Sequence, residues 1–242
     1  MKRIITASFF LMILSMQAHA QQNSKANANQ FADFTIGIGS SQGSAALSYV
    51  HNWKLFKKQK WEAGLGARFT SYFGSNQYYR TAPAKLTSGK TGPGVFFADD
   101  IVQNLDSVLF AKAQVNAMNI SLNFGYHFCS KFSLGFNIDA IGVSFGANKK
   151  GSYINGSTTA ATTAKPTAFN LLLVSDNDLG SLNSELFAKY HFSQKWAIKA
   201  AFEFLFTEYK TNTKVQTTPD GQKNDRFRNK VSALAVGVSL QL

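Results

Sequence analysis

Three short segments constrain this chain more than anything else in it. Phe56-Lys57-Lys58-Gln59-Lys60-Trp61, Phe128-Cys129-Ser130-Lys131-Phe132 and Phe192-Ser193-Gln194-Lys195-Trp196 each set a few polar residues, ending in Lys, between two aromatics. Runs of alternating apolar residues flank each one, and two copies share a lead-in, Tyr126-His127-Phe128 and Tyr190-His191-Phe192. An apolar period of two marks strands with one buried face, and a short polar break between two such runs marks a hairpin. Tight turns at one end and long connections at the other form the pattern of a membrane-spanning antiparallel barrel.

The alternation predicts eight strands and assigns their faces. One face carries Phe34, Ile36 and Ile38, then Leu47, Tyr49, Trp53 and Leu55, and continues in this way to Leu234, Val236, Val238, Leu240 and Leu242. The other is rich in Gly, Ala, Ser and Asn with charges of both signs. A soluble barrel would turn that second face to water, where Gly weakens a strand without aiding solubility. Small residues with compensating charges instead suit the cramped lumen of an eight-stranded barrel, which is wide enough only for side chains. The apolar face carries no Asp, Glu, Lys or Arg, and His51 is its one ionisable residue. A Lys or Arg there would cost about 2–4 kcal/mol at the bilayer midplane. The predicted fold class is therefore all-β: a closed, antiparallel, up-and-down transmembrane β-barrel of eight strands. Ten strands would result if the segments from Ala98 to Leu109 and from Phe169 to Val174 also paired. In the fifth strand the apolar phase slips after Ala140, which predicts a β-bulge.

Lys2 and Arg3 precede an apolar stretch from Ile4 to Met16, and Ala18-His19-Ala20 forms an A-x-A cleavage site. This is the plan of a secretory signal peptide over residues 1–20, because the apolar stretch is too short to span a bilayer. Residues 21–30 are polar and low in complexity and read as a periplasmic tail, leaving residues 31–242 for the barrel. Cys129, the only cysteine, has no internal disulfide partner and reads as an incidental turn residue.

Seven charged residues fall on the inward face: Glu62, Arg68, Asp139, Glu185, Lys189, Lys199 and Glu203. Unpaired buried charge is expensive, so these are expected to pair across strands and close the lumen. Trp53, Trp61, Phe128, Phe132, Tyr190, Phe192 and Trp196 cluster beside the short turns, as an aromatic girdle at one membrane interface would. Short turns belong on the periplasmic side, which puts both chain ends there and the long connections outside. Those connections run from about Gly74 to Ala111, Ala147 to Ser181 and Tyr209 to Asn229. The first contains Ile101, Leu105, Val108 and Leu109 at helical spacing, with Asp99 or Asp100 as a cap.

The chain resembles the small outer-membrane barrels of the OmpA-transmembrane-domain and OmpX type and the PorT-like barrels of Bacteroidota. The resemblance covers Phe31 to Leu242 and lies in architecture and pattern. It implies a Gram-negative outer membrane, assembly machinery as a partner during biogenesis, and lipids including lipopolysaccharide as neighbours. One departure is the terminus Val238-Ser239-Leu240-Gln241-Leu242, which lacks the final aromatic such barrels often carry.

A formal charge of +12 invites a nucleic-acid reading, but no recognised nucleic-acid fold or basic-aromatic module accompanies it. The long connections hold Arg80, Lys85, Lys149, Lys150, Lys214, Arg226 and Arg228, which could contact phosphorylated glycolipid or a protein partner. Tyr78, Tyr79, Phe96, Phe97, Tyr153 and Phe227 would add aromatic contact area. No catalytic triad, cofactor motif or metal-ligand spacing stands out. Asp176-Asn177-Asp178 lacks the Gly and Glu of a calcium loop, and Asn155-Gly156-Ser157 and Asp106-Ser107-Val108 are short matches to glycosylation acceptors. Three functions remain: a non-enzymatic binding platform acting through its loops, a narrow solute channel, and a lipid-modifying enzyme.

Overall fold

The computed structural model describes residues 28–90, 98–173 and 177–242. β1 (Ala28–Gly39), β2 (Gln42–Leu55), β3 (Trp61–Thr81), β4 (Ser107–His127) and β5 (Phe132–Phe145) follow one another as antiparallel neighbours. Three shorter strands come next, β6 (Lys149–Asn155), β7 (Thr158–Pro166) and β8 (Phe169–Leu171), then β9 (Leu182–His191) and β10 (Trp196–Thr211). A small hairpin of β11 (Gln216–Thr217) and β12 (Lys223–Asn224) precedes β13 (Arg226–Gln241). β5 pairs with β9, β9 with β10, β10 with β13, and β13 with β1, which closes a ring of eight. The segments expected to be a signal peptide and tail, as far as residue 27, lie outside the described residues. Ala28, Asn29 and Gln30, read above as the end of that tail, pair with Trp53, Asn52 and His51 and belong to β1.

Strand for strand, the ring turns its apolar face outward and its small and charged face inward. Ile38 and Leu234, direct partners on β1 and β13, are 68% and 73% exposed. A continuous exterior belt of this kind is satisfied by hydrocarbon and not by water. The aromatics Trp53, Trp61, Phe128, Phe132, Tyr190, Phe192 and Trp196 all face outward beside the short turns. Trp61, Tyr126 and Phe128 pack in series there, with ring centroids 4.7 and 4.8 Å apart. His51 lies against Trp53 at 4.8 Å, which accommodates the one ionisable side chain of this face. The bulge expected in β5 is present: Ile120 pairs with Ile141 and Ser121 with Asp139, leaving Ala140 without a register partner on β4, while its carbonyl accepts from the Leu172 amide.

The long-loop end departs from the sequence reading. Much of what reads there as loop is strand, and it builds a second, narrower storey. β3 runs on to Thr81, β4 begins at Ser107, and the β6–β7 hairpin slots between β4 and β10. β1 and β2 stop at a two-residue turn, Ser40–Ser41, with Ser41 at φ 57°, so this end has one tight connection beside its long ones. Above that turn β3 and β13 pair directly, Thr81 with Phe227 and Arg80 with Arg228. The result is a closed ring of β13, β3, β4, β6, β7 and β10.

The inward phase of β3 and β4 flips between the storeys, at Asn76 (φ 52°) and around Ala111–Lys112. Above the flip, Tyr79, Val108 and Phe110 point in and join Tyr209, Phe227 and Val231 in a buried core. The helix expected between Ala98 and Leu109 is absent. The chain there forms a short 3-10 turn, Val102–Asn104, and is strand from Ser107; a four-residue helix lies earlier, at Ala84–Thr87. Periodicity misled because Val108 and Leu109 are consecutive strand residues on opposite faces. β8 pairs with Ile141–Val143 of β5 and fills the wall above the short β9. It does not enlarge the ring to ten. Val174, the end of that expected segment, lies outside the described residues.

The six-stranded storey is directly testable. Lys165 of β7 and Lys210 of β10 are exposed Cα partners. In a Cys129→Ala background, Lys165→Cys with Lys210→Cys should form a disulfide under mild oxidation, because opposed strand residues lie within disulfide reach. A pair that stays fully alkylatable while the barrel is folded would mean that the hairpin does not close the ring.

Candidate functional site: a closed lumen and a basic rim

Strand register alone would make the lower lumen unstable. It sets Lys189 opposite Lys199 and Glu185 opposite Glu203, and like charges directly across a ladder repel. Contacts reaching sideways relieve this. Lys199 Nζ lies 2.7 Å from Glu185 Oε2, and Arg68 lies 2.6 Å from Asp139 Oδ1 and 3.2 Å from Glu185 Oε2. Lys189 Nζ meets Asp33 Oδ1 at 2.9 Å, and Lys199 meets Asp33 Oδ2 at 3.4 Å. Asp33 was missed by sequence reasoning, which began the first strand at Phe34. Its parity with Thr35 and Gly37 was the available signal. Phe31 also points inward, with Lys189 Nζ 3.4 Å from its ring centroid, a cation–π contact made in place of a further carboxylate.

With Asp33 included, five acids face three bases, so neutral donors hold the rest. Glu203, expected to meet a cation, instead accepts hydrogen bonds from Ser44 Oγ at 2.6 Å and Asn183 Nδ2 at 2.7 Å. Glu62 accepts from Asn29 at 2.6 Å and Asn52 at 3.0 Å, and His127 Nε2 lies 3.1 Å away. Glycine makes the room. A Cβ on Gly37 would lie 2.1 Å from Glu203 Oε2, and one on Gly125 would lie 2.6 Å from Glu62 Oε1. Asp139 also accepts from Asn119 at 2.7 Å, and Asn119 in turn accepts from Asn170 of β8 at 2.7 Å. The network thus ties the second long connection to the barrel interior.

The aromatic core of the upper storey seals the same axis from above. Tyr79, Phe110 and Tyr209 pack with centroids 4.6 to 5.2 Å apart. Their buried hydroxyls are satisfied: Tyr79 Oη lies 2.9 Å from Thr207 Oγ1, and Tyr209 donates to the Gln114 carbonyl at 2.7 Å.

At the short-turn mouth the structure brings Ser133, His191, His127 and Glu62 together, but not as a relay. Ser133 Oγ lies 3.4 Å from His191, whereas Glu62 contacts His127. A nucleophile–base–acid chain needs one histidine in both contacts. Among the described residues no cluster of three or more His, Cys, Asp or Glu side chains is arranged to hold a metal ion. Asp176 of the expected acidic turn lies outside the described residues, and Asp178 accepts from the Leu173 amide at 2.6 Å.

The rim is less open than the sequence suggested. Arg80, Lys85, Lys150 and Lys214 are exposed and Lys149 is partly so. Arg226 and Arg228 are not loop contacts. Each pairs with the buried Glu208, at 2.8 and 2.9 Å, and each donates to the Asp178 carbonyl. This clamp holds the chain after β8 against β10 and β13. Tyr79 and Phe227 are core residues, Tyr153 packs beside them, and only Tyr78 of the described aromatics offers contact area. Phe96 and Phe97 lie outside the described residues. Asp106 of the Asp106-Ser107-Val108 match is buried, accepting from Tyr153 Oη and from Asn155. Burial, and then the Asp106 bond, hold the Tyr153 hydroxyl above its usual range.

No protein-family model matches the chain, and neither does any curated protein. Among solved structures, Neisserial surface protein A is 10% identical, covering 89% of this chain and 96% of that one, with a TM-score of 0.37. The attachment invasion locus protein Ail of Yersinia pestis is 8% identical over 89% and 99% of the two chains, with a TM-score of 0.37. A major outer membrane protein from Thermus thermophilus is 11% identical over 89% and 99%, with a TM-score of 0.39. Likenesses this slight carry no argument, and the fold rests on the closed hydrogen-bonded ring itself.

Breaking one lumen pair from one side should be costly. Lys189→Met leaves Asp33 facing only Lys199, and loss of one partner of a buried pair typically costs about 3–5 kcal/mol. Unfolding in urea, followed by the gel shift of the folded barrel, should show that loss. Adding Asp33→Asn should restore much of it. A double variant no better than the single one would mean that the pair is not coupled.

Proposed function

We propose that this protein resides in a Gram-negative outer membrane as a small barrel of the OmpA-domain, OmpX or PorT-like kind. It acts there as a non-enzymatic binding platform through its long-loop end. The observation that carries the reading is double closure: a charge network across the lower lumen and an aromatic core across the upper storey. A channel needs a water path, and a rim enzyme needs a nucleophile and base oriented by a third group. The arrangement favours neither. A rigid, plugged barrel leaves its connections as the surface for binding, and loops on rigid scaffolds are where binding residues concentrate. With the short turns periplasmic, the storey of β6, β7 and the upper parts of β3, β4, β10 and β13 projects outward. Its basic exterior suits anionic surfaces and protein partners.

Two measurements test this reading together. Purified protein in planar bilayers should give no large, steady conductance. Single cysteines in the β6–β7 hairpin and the β11–β12 hairpin, in the Cys129→Ala background, should label from outside intact cells, while Lys58→Cys and Gln194→Cys should not. Steady conductance would restore the channel, and the reverse labelling would invert the platform.

A further inference from the structure

The ring of eight and the ring of six do not match, and the mismatch leaves a notch. β1 and β2 end at Ser40–Ser41, whereas β3 and β13 meet again only at Arg80 and Arg228. Between these levels, residues 75–79 of β3 and 229–233 of β13 have no strand between them. Side chains span the gap instead: Asn229 donates to the Tyr78 carbonyl at 3.0 Å, and Gln77 donates to the Ser41 carbonyl at 3.2 Å. A cavity of about 440 Å³ opens there, lined by Gln42, Gln77, Tyr78, Arg80, Asn229 and Lys230 among others.

Its chemistry is distinctive. Amide side chains and a 55% exposed tyrosine offer the mixed hydrogen-bonding and flat apolar contact that a sugar ring uses. Arg80 is exposed and has no acidic partner among the described residues, and Lys230, on β13 across the seam, lines the same cavity. Arg228 also lines the cavity; it shares Glu208 with Arg226, and its Nε and Nη1 lack partners among the described residues. Among the described residues Asp100 is the one acid in the lining.

Its position is equally specific. The most exposed apolar residues of this wall, Ile38 and Leu234, lie immediately below the β1–β2 turn, with Phe73 beside them on β3. Lys230 Nζ sits 5.7 Å from the Phe206 ring centroid, so its cationic head lies at the upper edge of the apolar belt, as a snorkelling lysine's does. The notch therefore opens at the height where acyl chains give way to headgroups.

We infer that the notch between β3 and β13 is a binding site for a membrane glycolipid whose sugar headgroup carries phosphate. The sugar lies against Tyr78 and the amides, the phosphate meets Arg80 and Lys230, and the acyl chains run down the belt past Ile38, Leu234 and Phe73. This rests on the proposed platform reading and gives it one ligand class and one place.

The test uses the full barrel in phosphatidylcholine nanodiscs doped with diphosphoryl lipid A, with retained lipid counted by native mass spectrometry across a titration. Wild type should keep one lipid A that survives delipidation and weakens with salt. Arg80→Ala with Lys230→Ala should bind at least ten-fold more weakly, while Lys57→Ala with Lys58→Ala, exposed at the first short turn, should bind as wild type does. Lipid A stripped of phosphate should bind wild type as weakly as diphosphoryl lipid A binds the notch variant, a comparison that needs no variant to fold. Soluble glucosamine 6-phosphate should not displace the lipid at matched concentration. Equal weakening in the short-turn pair, tight binding of phosphate-free lipid, an unaffected notch variant, or displacement by the soluble sugar phosphate would each overturn the site. Those failures leave the conductance and labelling results untouched, so they are distinct from failure of the platform.

Discussion

One constraint organises this molecule: the solvent outside the strands changes from hydrocarbon to water part-way along them. Below the change, side chains facing out must be apolar, and the polar ones must find each other inside. Above it the requirement reverses, and the same strands bury Tyr79, Phe110, Tyr209 and Phe227 while turning Arg80 and Lys210 outward. β3 and β4 meet the reversal with a change of inward phase near Asn76 and Ala111, whereas β10 and β13 keep their phase and change residue type. The upper storey is built as a soluble barrel is, and the lower one as its inverse.

The lower lumen shows what a barrel of eight strands does with charge in so small a space. Between β9 and β10 register opposes Lys189 to Lys199 and Glu185 to Glu203, so stability depends on contacts that leave those direct pairs. Arg68 is 1% exposed and joins β3 to acids on β5 and β9, and Asp33 joins β1 to lysines on β9 and β10. The Arg68 and Asp33 contacts span strands distant in sequence, so these parts of the network form only as the ring closes. Replacing buried ion pairs by apolar residues is often neutral or stabilising. Here they suit a chain whose inward face must stay narrow, because Gly37 and Gly125 leave room for carboxylates to lie flat where bulky apolar side chains would collide.

Part of the function was legible early because it depended on residue type alone. The aromatic girdle, the inward charges and the β5 bulge are local patterns of period two, and such patterns survive without knowledge of any partner. Asp33 follows the same parity, but it precedes Phe34, where the apolar alternation becomes clear, and β1 itself begins at Ala28. Arg226 and Arg228 were not legible. As basic residues near a turn they resemble solvated loop charges, and what buries them is Glu208 on β10 and the backbone at Asp178, a partnership that exists only in three dimensions.

The lower barrel is written in the residue order: eight strands, their faces, the apolar exterior and the polar interior. Alternation against a uniform solvent is a one-dimensional code, and any strand in hydrocarbon must obey it. The upper storey and the notch arise only in three dimensions. There the polarity code inverts, the inward phase of two strands flips, and strand partners change, β13 leaving β1 for β3 and β4 leaving β5 for β6. Read along the chain, a change of partner and a change of phase look the same as a loop, because each merely interrupts the alternation. The closing of one ring of backbone hydrogen bonds above another distinguishes them.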